Sequence, residues 1–449
     1  MNLAAIAWKS LKQRALASSL TAFSVALGVM LMVAVLVIDS VLGSVFSQRS
    51  VGYDLIIGPK GSALQLVLST IYHINPPIEN LPYRFYREIE KDPRVSLAIP
   101  VAIGDTTEQG AFPIVGTMPR YFVEEYAPNR KFLIRGNTLR KPFDALIGSH
   151  VAAANRWNIG STFRMVHGGA DTGHVHNEEF TVVGVLKQTG TPNDKSVFVH
   201  LDGFYLVQGH DKPFGEAIIR EREFFSEPAL SPEALAAEVA RLERKYSHAH
   251  HDHDHGHQQD HFEEVPDLQK EVTSILVNCK TPIAANLLAA EMKKGFKAMG
   301  VNPIFPMKQL MDNVLGGVKV LLLVMTGLII AVSGIGIFVS IYNSMAARQR
   351  EIAIMRALGA QRGTVLSIIL AESIMLCLGG GIIGLLLGHG LVFVAAPMVE
   401  LRTGLLMNPW TFQPLELVIF PVLLVLGSLV GLLPGLTAYR TDVAEALAK

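Results

Sequence analysis

Residues 16–38 read LASSLTAFSVALGVMLMVAVLVI, an apolar run with no companion of comparable strength for the next 280 or so positions. A helix needs roughly 20 such residues to cross a bilayer core. Three further runs of that length are crowded into the last third of the chain, at Val318–Ile341, Val365–Val394 and Leu415–Leu436. The polar stretch from Asp39 to Gly317 lies between the first run and the second. The expected fold class is therefore an α-helical membrane protein with four transmembrane helices in a one-plus-three arrangement. A large α/β plus β-rich extracytoplasmic domain is inserted between the first two.

The short flanks set the orientation. Lys9, Lys12 and Arg14 precede the first run, and Arg348, Arg350, Arg356 and Arg362 crowd the loop between the second and third, against the single acid Glu351. Arg440 follows the fourth. Positive residues in short loops mark the cytoplasmic side, so both termini are expected inside and the large domain outside. The first run is too long for the apolar part of a signal peptide and is read as a retained anchor. The resulting plan is a cytoplasmic segment 1–16, spans at 17–41, 318–342, 365–394 and 415–437, an outer domain at 42–316, a cytoplasmic loop at 343–363, an outer loop at 395–414 and a cytoplasmic tail at 438–449.

Composition agrees with this plan. Half the residues are hydrophobic (50%), and 39 basic residues balance 39 acidic ones. The arginines mark membrane boundaries and form no basic face, so no nucleic-acid partner is expected. Cys279 and Cys377 fall in different environments, and no disulfide is expected.

Within the outer domain, residues 50–130 and 270–310 read as an α/β base. Short strands are expected at Asp54–Gly58, Val95–Ile103, Ala111–Gly116 and Glu271–Cys279. Thr281-Pro282 opens a helix expected to reach Met299, with threonine at the cap and proline in the first turn. A last strand is expected at Asn302–Phe305, before a single helix from Met307 into the second span. Residues 131–230 read as a β-rich lobe, and Ser231–Tyr246 as an amphipathic helix.

Catalytic motifs are missing. The chain has no GxxxxGK followed by Ser or Thr, no GxSxG and no HExxH, so neither a P-loop nor a hydrolytic centre of those types is expected and no catalytic residue is nominated.

Residues 347–362 read ARQREIAIMRALGAQR. Ile352, Met355 and Leu358 recur at helical spacing, which describes a basic amphipathic helix at the inner leaflet. The form R-E-I-x-I-x-R-A-L-G-A between spans two and three resembles the coupling helix of the FtsX/MacB family of ABC-transporter permeases. Ala7–Arg14 running into Leu20–Gly28, and Pro434-Gly435 followed by Ala438-Tyr439-Arg440, are similar to that family's entry and exit segments. The resemblance implies a permease that is not itself an ATPase, paired with a second permease copy and with a separate ABC ATPase subunit. It implies that Arg348, Arg350, Glu351, Ile352, Met355, Arg356, Leu358 and Gly359 form the ATPase-coupling segment. Motion would pass along helices continuous with spans one and two to the outer domain. The family's roles are export, lipoprotein release, or activation of a periplasmic partner such as a cell-wall hydrolase, in the bacterial inner membrane. Gly359 is expected to end the coupling helix with a left-handed cap. The glycines at 334, 336, 379, 380, 381, 384 and 388 are expected to serve close helix packing. His389 is expected to bond a carbonyl near the end of span three.

The loop at 247–264 contains HAHHDHDHGHQQDH, with seven of the chain's fifteen histidines. His248, His250, His251, His253, His255, His257 and His261, with Asp252 and Asp254, are the expected metal ligands. Imidazole and carboxylate suit Zn²⁺. His167, His174 and His176 beside Asp171 form a second, sparser group, read first as a plain loop.

Overall fold

The computed structural model describes residues 3–45, 52–74, 76–167, 174–247, 265–347, 349–357, 359–403, 410 and 412–440. The chain divides into two compact units: Met1–Gly43 with Met311–Arg402 and Leu406–Lys449, and Ser44–Leu310 with Thr403–Leu405.

The first unit is helical. Four helices are long and apolar enough to cross a membrane, over Ala15–Val41, Ile304–Asn343, Arg362–Val399 and Glu416–Thr437. They correspond to the four apolar runs. The third helix continues through Pro397 to Thr403, so the outer loop expected at 395–414 is partly helical. Ahead of the second span, helix Ile304–Leu310 passes through a π-helical turn, Met311–Leu315, into helix Gly316–Ala347. The expected strand Asn302–Phe305 is not formed there.

Glycines let the first and third membrane helices approach closely. A Cβ on Gly380 would meet the Ala22 carbonyl at 2.7 Å, one on Gly384 the Ala26 carbonyl at 2.6 Å, and one on Gly388 the Val33 side chain at 2.7 Å. The four-residue spacing puts all three on one helix face, the small-residue seam that helices in lipid use. Gly336 and Gly379 have open space instead, so packing within one chain does not explain them.

The second unit is built on a ten-stranded sheet. Its strands are β1 (Leu55–Pro59), β2 (Val95–Thr107), β3 (Pro113–Thr117), β4 (Ile134–Gly136), β5 (Asp144–Ile147), β6 (Thr162–His167), β7 (His174–Leu186), β8 (Val197–His200), β9 (Ser274–Cys279) and β10 (Ala298–Val301). The order is β10-β1-β9-β2-β3-β8-β5-β7-β4, with β6 pairing both β7 and β2. Pairing thus closes on itself through β2, β3, β8, β5, β7 and β6. The inward side chains of this ring include Ile114, Ala145, Phe163, Met165, Phe180, Val182, Val197 and Val199, all buried in one core.

β2 belongs to both halves of the expected base and lobe. Its first half pairs antiparallel with β9, Val101 opposite Ser274, and its second half pairs with β3 and β6. The helix that starts at Pro282 stops at Lys294, capped by the Thr281 side chain accepting from the Ala284 N–H at 3.1 Å. It stops short of Met299 because Ala298–Val301 pairs with β1. Helices Leu201–Leu206 and Phe214–Phe225 also fall inside the stretch expected to be β-rich.

Candidate functional site

The segment expected to couple to an ATPase forms helix Gln349–Ala357, between the second and third membrane helices. Ile352 and Ala353 are buried, and Ile352 joins the core of the helical unit with Val365 and Ile369. Ile354 and Met355 are exposed. The apolar positions therefore divide between anchoring the helix and facing outward. The helix ends as expected. Gly359 has φ +100°, its N–H donates to the Arg356 carbonyl at 3.0 Å, and the Ala360 N–H donates to the Met355 carbonyl at 3.0 Å. That bond pair is a Schellman motif. Arg356 is half-buried, and Arg350 and Glu351 lie on the helix, whereas Arg348 and Leu358 lie outside the described residues.

His389 faces a carboxylate. Its Nε2 stands 3.0 Å from Oε2 of Glu416, whose side chain is fully buried. The Gln413 N–H donates to Glu416 Oε1 at 3.2 Å, and the Gln413 side-chain amide donates to Ser40 Oγ at 2.6 Å. Lys319 and Asp39 pair at 2.6 Å. Polar groups in membrane helices pair with one another in this way because hydrocarbon offers no water.

The histidine tract, His248 to His261 with Asp252 and Asp254, lies outside the described residues, as does Asp171. The sparser histidine group is described, and the sheet organises it. His167 ends β6 and His174 begins β7, directly opposite each other in antiparallel register. On the other side of β6, His167 lies opposite Asp105 of β2. Asp105, His167 and His174 thus occupy one rung across three neighbouring strands. The β2–β3 ladder slips by one residue between Ile103 and Thr106, which leaves Gly104 and Asp105 without a β3 partner. Such a bulge re-aims the side chain it carries.

Asp105 is the centre of the cluster. His167 Nδ1 lies 2.8 Å from its Oδ1, and His210 Nε2 lies 2.9 Å from its Oδ2. One ligand-type atom from each of the three falls within 4.8 Å of the others. His210 comes from the turn after helix Leu201–Leu206, with its Nδ1 2.8 Å from the Phe204 carbonyl. A carbonyl only accepts, so Nδ1 carries a proton, and Nε2 is the ring nitrogen that faces Asp105. The His176 ring is 5.0 Å from the His210 ring. Burial would raise the Asp105 carboxyl, but His210 and then His167 outweigh it and hold its pKa below the usual value. Burial, followed by the charge of His210, pushes the His176 imidazole down. The cluster lines a cavity of about 270 Å³ that also holds Asn80, Lys212 and Glu271.

Neither Asp105 nor His210 was nominated from sequence. Asp105 is 62 positions from His167, and the bulge that aims it has no compositional mark beyond Gly104. His210 sits in a Gly209-His210-Asp211 turn that reads only as a turn.

Comparison with known proteins gives two domain matches. The FtsX-like permease C-terminal model matches residues 323–443, and the MacB-like periplasmic core domain model matches residues 18–242. The macrolide export ATP-binding/permease protein MacB of Rhodopirellula baltica is 32% identical over 33% of this chain and 21% of its own length. The uncharacterized ABC transporter permease YknZ of Bacillus subtilis is 32% identical over 30% of this chain and 35% of its own. The matched stretch thus spans about a fifth of the first relative and a third of the second. The periplasmic region of MacB from Actinobacillus actinomycetemcomitans is 12% identical over 59% of this chain and 96% of that one, at a TM-score of 0.32, too slight to carry an argument. Four apolar helices and a periplasmic core domain make this a multi-pass membrane protein with a periplasmic domain. The two domain matches together reach into all four of those helices, and the chain belongs to the MacB/FtsX family of ABC-transporter permeases.

Proposed function

We propose that the chain is the permease subunit of an ABC transporter whose ATPase is a separate polypeptide, and that it works as a pair of permease copies in the bacterial inner membrane. ATP hydrolysis on the cytoplasmic side drives movement of the periplasmic unit, which exports a substrate or handles a lipoprotein. Zinc enters this reading through His248–His261, whose imidazoles and interleaved carboxylates suit that ion.

The observation that carries the proposal is helix Gln349–Ala357. Ile352 and Ala353 tie it to the membrane helices, while Ile354 and Met355 face outward. A helix held on one side and apolar on the other is suited to seat in a partner's groove. A Schellman end at Gly359 fixes where it stops. The arginine-rich flank supports a cytoplasmic position, where an ATPase would meet it.

Reconstitution tests the proposal. The purified chain in proteoliposomes is expected to hydrolyse no ATP, and to support hydrolysis once a P-loop subunit from the same cell is added. Hydrolysis by the chain alone, with contaminating ATPase excluded, would contradict it.

A further inference from the structure

We propose that Asp105, His167 and His210 form a fixed divalent metal site in the periplasmic unit, with Zn²⁺ the ion their chemistry suits best. The site is separate in sequence from the histidine tract and does not rest on the coupling mechanism.

The first argument is the donor set. Two imidazoles and a carboxylate are ligands that zinc takes readily, and copper and nickel also accept them. Donors about 2.0–2.2 Å from a tetrahedral zinc lie about 3.3–3.5 Å from one another. His167 lies 2.8 Å from one oxygen of Asp105 and His210 2.9 Å from the other, and one ligand-type atom from each residue falls within 4.8 Å of the rest, so side-chain adjustment alone brings the three donors to that spacing.

The second argument is what is left unsatisfied. Asp105 Oδ2 and His210 Nε2 are buried, 2.9 Å apart, and outside hydrogen-bond geometry with each other or with any other group. The Asp105 side chain is 1% exposed and that of His210 6%. With Nδ1 committed to the Phe204 carbonyl, Nε2 is the nitrogen of this ring left to face the carboxylate and to bind a cation. Buried polar atoms without partners are costly, and a cation between them removes the cost. The carbonyl-anchored imidazole is also how proteins fix the tautomer of a metal-binding histidine.

The third argument is that more donors wait nearby. His176 Nε2 and Glu178 Oε2 are likewise buried without a hydrogen-bond partner. The Gln208 N–H, two residues before His210, donates to Glu178 Oε1 at 3.4 Å. His167, by contrast, is 67% exposed. One side of the site is therefore closed by the protein and the other is open to solvent, where a water or an incoming ligand completes the coordination. An open position lets a metal exchange, unlike the sealed four-ligand sites that hold structural zinc.

The test uses the full chain in detergent with the seven tract histidines replaced by serine, titrated with Zn²⁺ against a chromophoric chelator and separately with Co²⁺. One zinc per chain is expected, with the visible absorption of tetrahedral Co²⁺ and a rise in Tm on zinc addition. Asp105→Asn and His210→Ala should lose the Co²⁺ spectrum. His167→Ala should weaken zinc binding at least tenfold. His167 is exposed, so this variant stays folded and keeps the test decisive even if the two buried substitutions unfold the domain. No zinc in the tract-substituted chain would overturn the proposal. So would unchanged affinity and an unchanged Co²⁺ spectrum in His167→Ala.

Discussion

Gly384 of the third membrane helix lies against Val29 of the first so closely that a Cβ built on the glycine would meet the valine Cβ at 2.6 Å. The Ala26 carbonyl stands at the same distance, so the obstacle includes backbone, which cannot rotate out of the way. This contact fixes how near the two helices come.

Gly384→Leu should therefore destabilise the helical unit. Overpacking of a tight site costs about 1–3 kcal/mol, and the backbone contact puts this site at the upper end. Gly379→Leu is the control, because open space surrounds Gly379. Thermal unfolding in one detergent should show a clear fall in Tm for Gly384→Leu and little change for Gly379→Leu. Equal falls would mean that the seam is not where the helices meet.

Gly359 should resist replacement for a different reason. Its φ of +100° is strained for a residue with a side chain, although space around it is free. Gly359→Ala should cost about 1–2 kcal/mol locally. Gly359→Pro should do more, since proline fixes φ near −65° and removes the N–H that bonds the Arg356 carbonyl. Hydrogen exchange of residues 349–357 should quicken in both variants, most in the proline one. Substrate-linked ATPase activity should fall in the same order, and so should that of Glu351→Lys. Wild-type coupling in all three would remove the coupling role from this helix.

His73 makes the periplasmic unit acid-sensitive. Its imidazole is pushed down to about 4 by burial, against a smaller opposing hydrogen bond to the Thr70 backbone. Its Nδ1 lies 2.8 Å from Ser196 Oγ. Between pH 6.5 and 4 the unfolded chain binds a proton that the folded chain refuses, so stability falls as pH falls. The loss reaches about 3 kcal/mol at most. His73→Asn keeps a residue that tolerates the observed φ of +52° and removes this titration. Denaturant unfolding at pH 4 to 8 should show a flatter acid limb in the variant, and identical slopes would refute the assignment.

The membrane layout was legible because it is a matter of composition: Leu16–Ile38 can do little else in water or lipid. The end of the coupling helix was legible because Gly359 follows an amphipathic repeat, and a left-handed residue there has a short list of candidates. The Asp105 cluster was half-legible. His167, His174 and His176 stood out as a group, but the group was read as a loop. What gathers it is Asp105, aimed by a bulge, and His210, delivered by a turn. Both depend on strand pairings between distant segments, which no local pattern records. The same holds for β2, which closes the ring by pairing with β6 near one end and with β9 at the other. His389 was expected to bond a carbonyl, and its contact with Glu416, 27 positions on, was not foreseen. That partner could be identified only once the third and fourth membrane helices were side by side.

Photo-crosslinking in native membranes tests the central claim most directly. A photoreactive residue is placed at Ile354 or Met355, the exposed apolar positions of the coupling helix, and at Ile219 on the surface of the periplasmic unit as a control. The account predicts an adduct with a P-loop ATPase from Ile354 and Met355 and none from Ile219. Adducts from 354 and 355 that contain only lipid or the permease itself would contradict it.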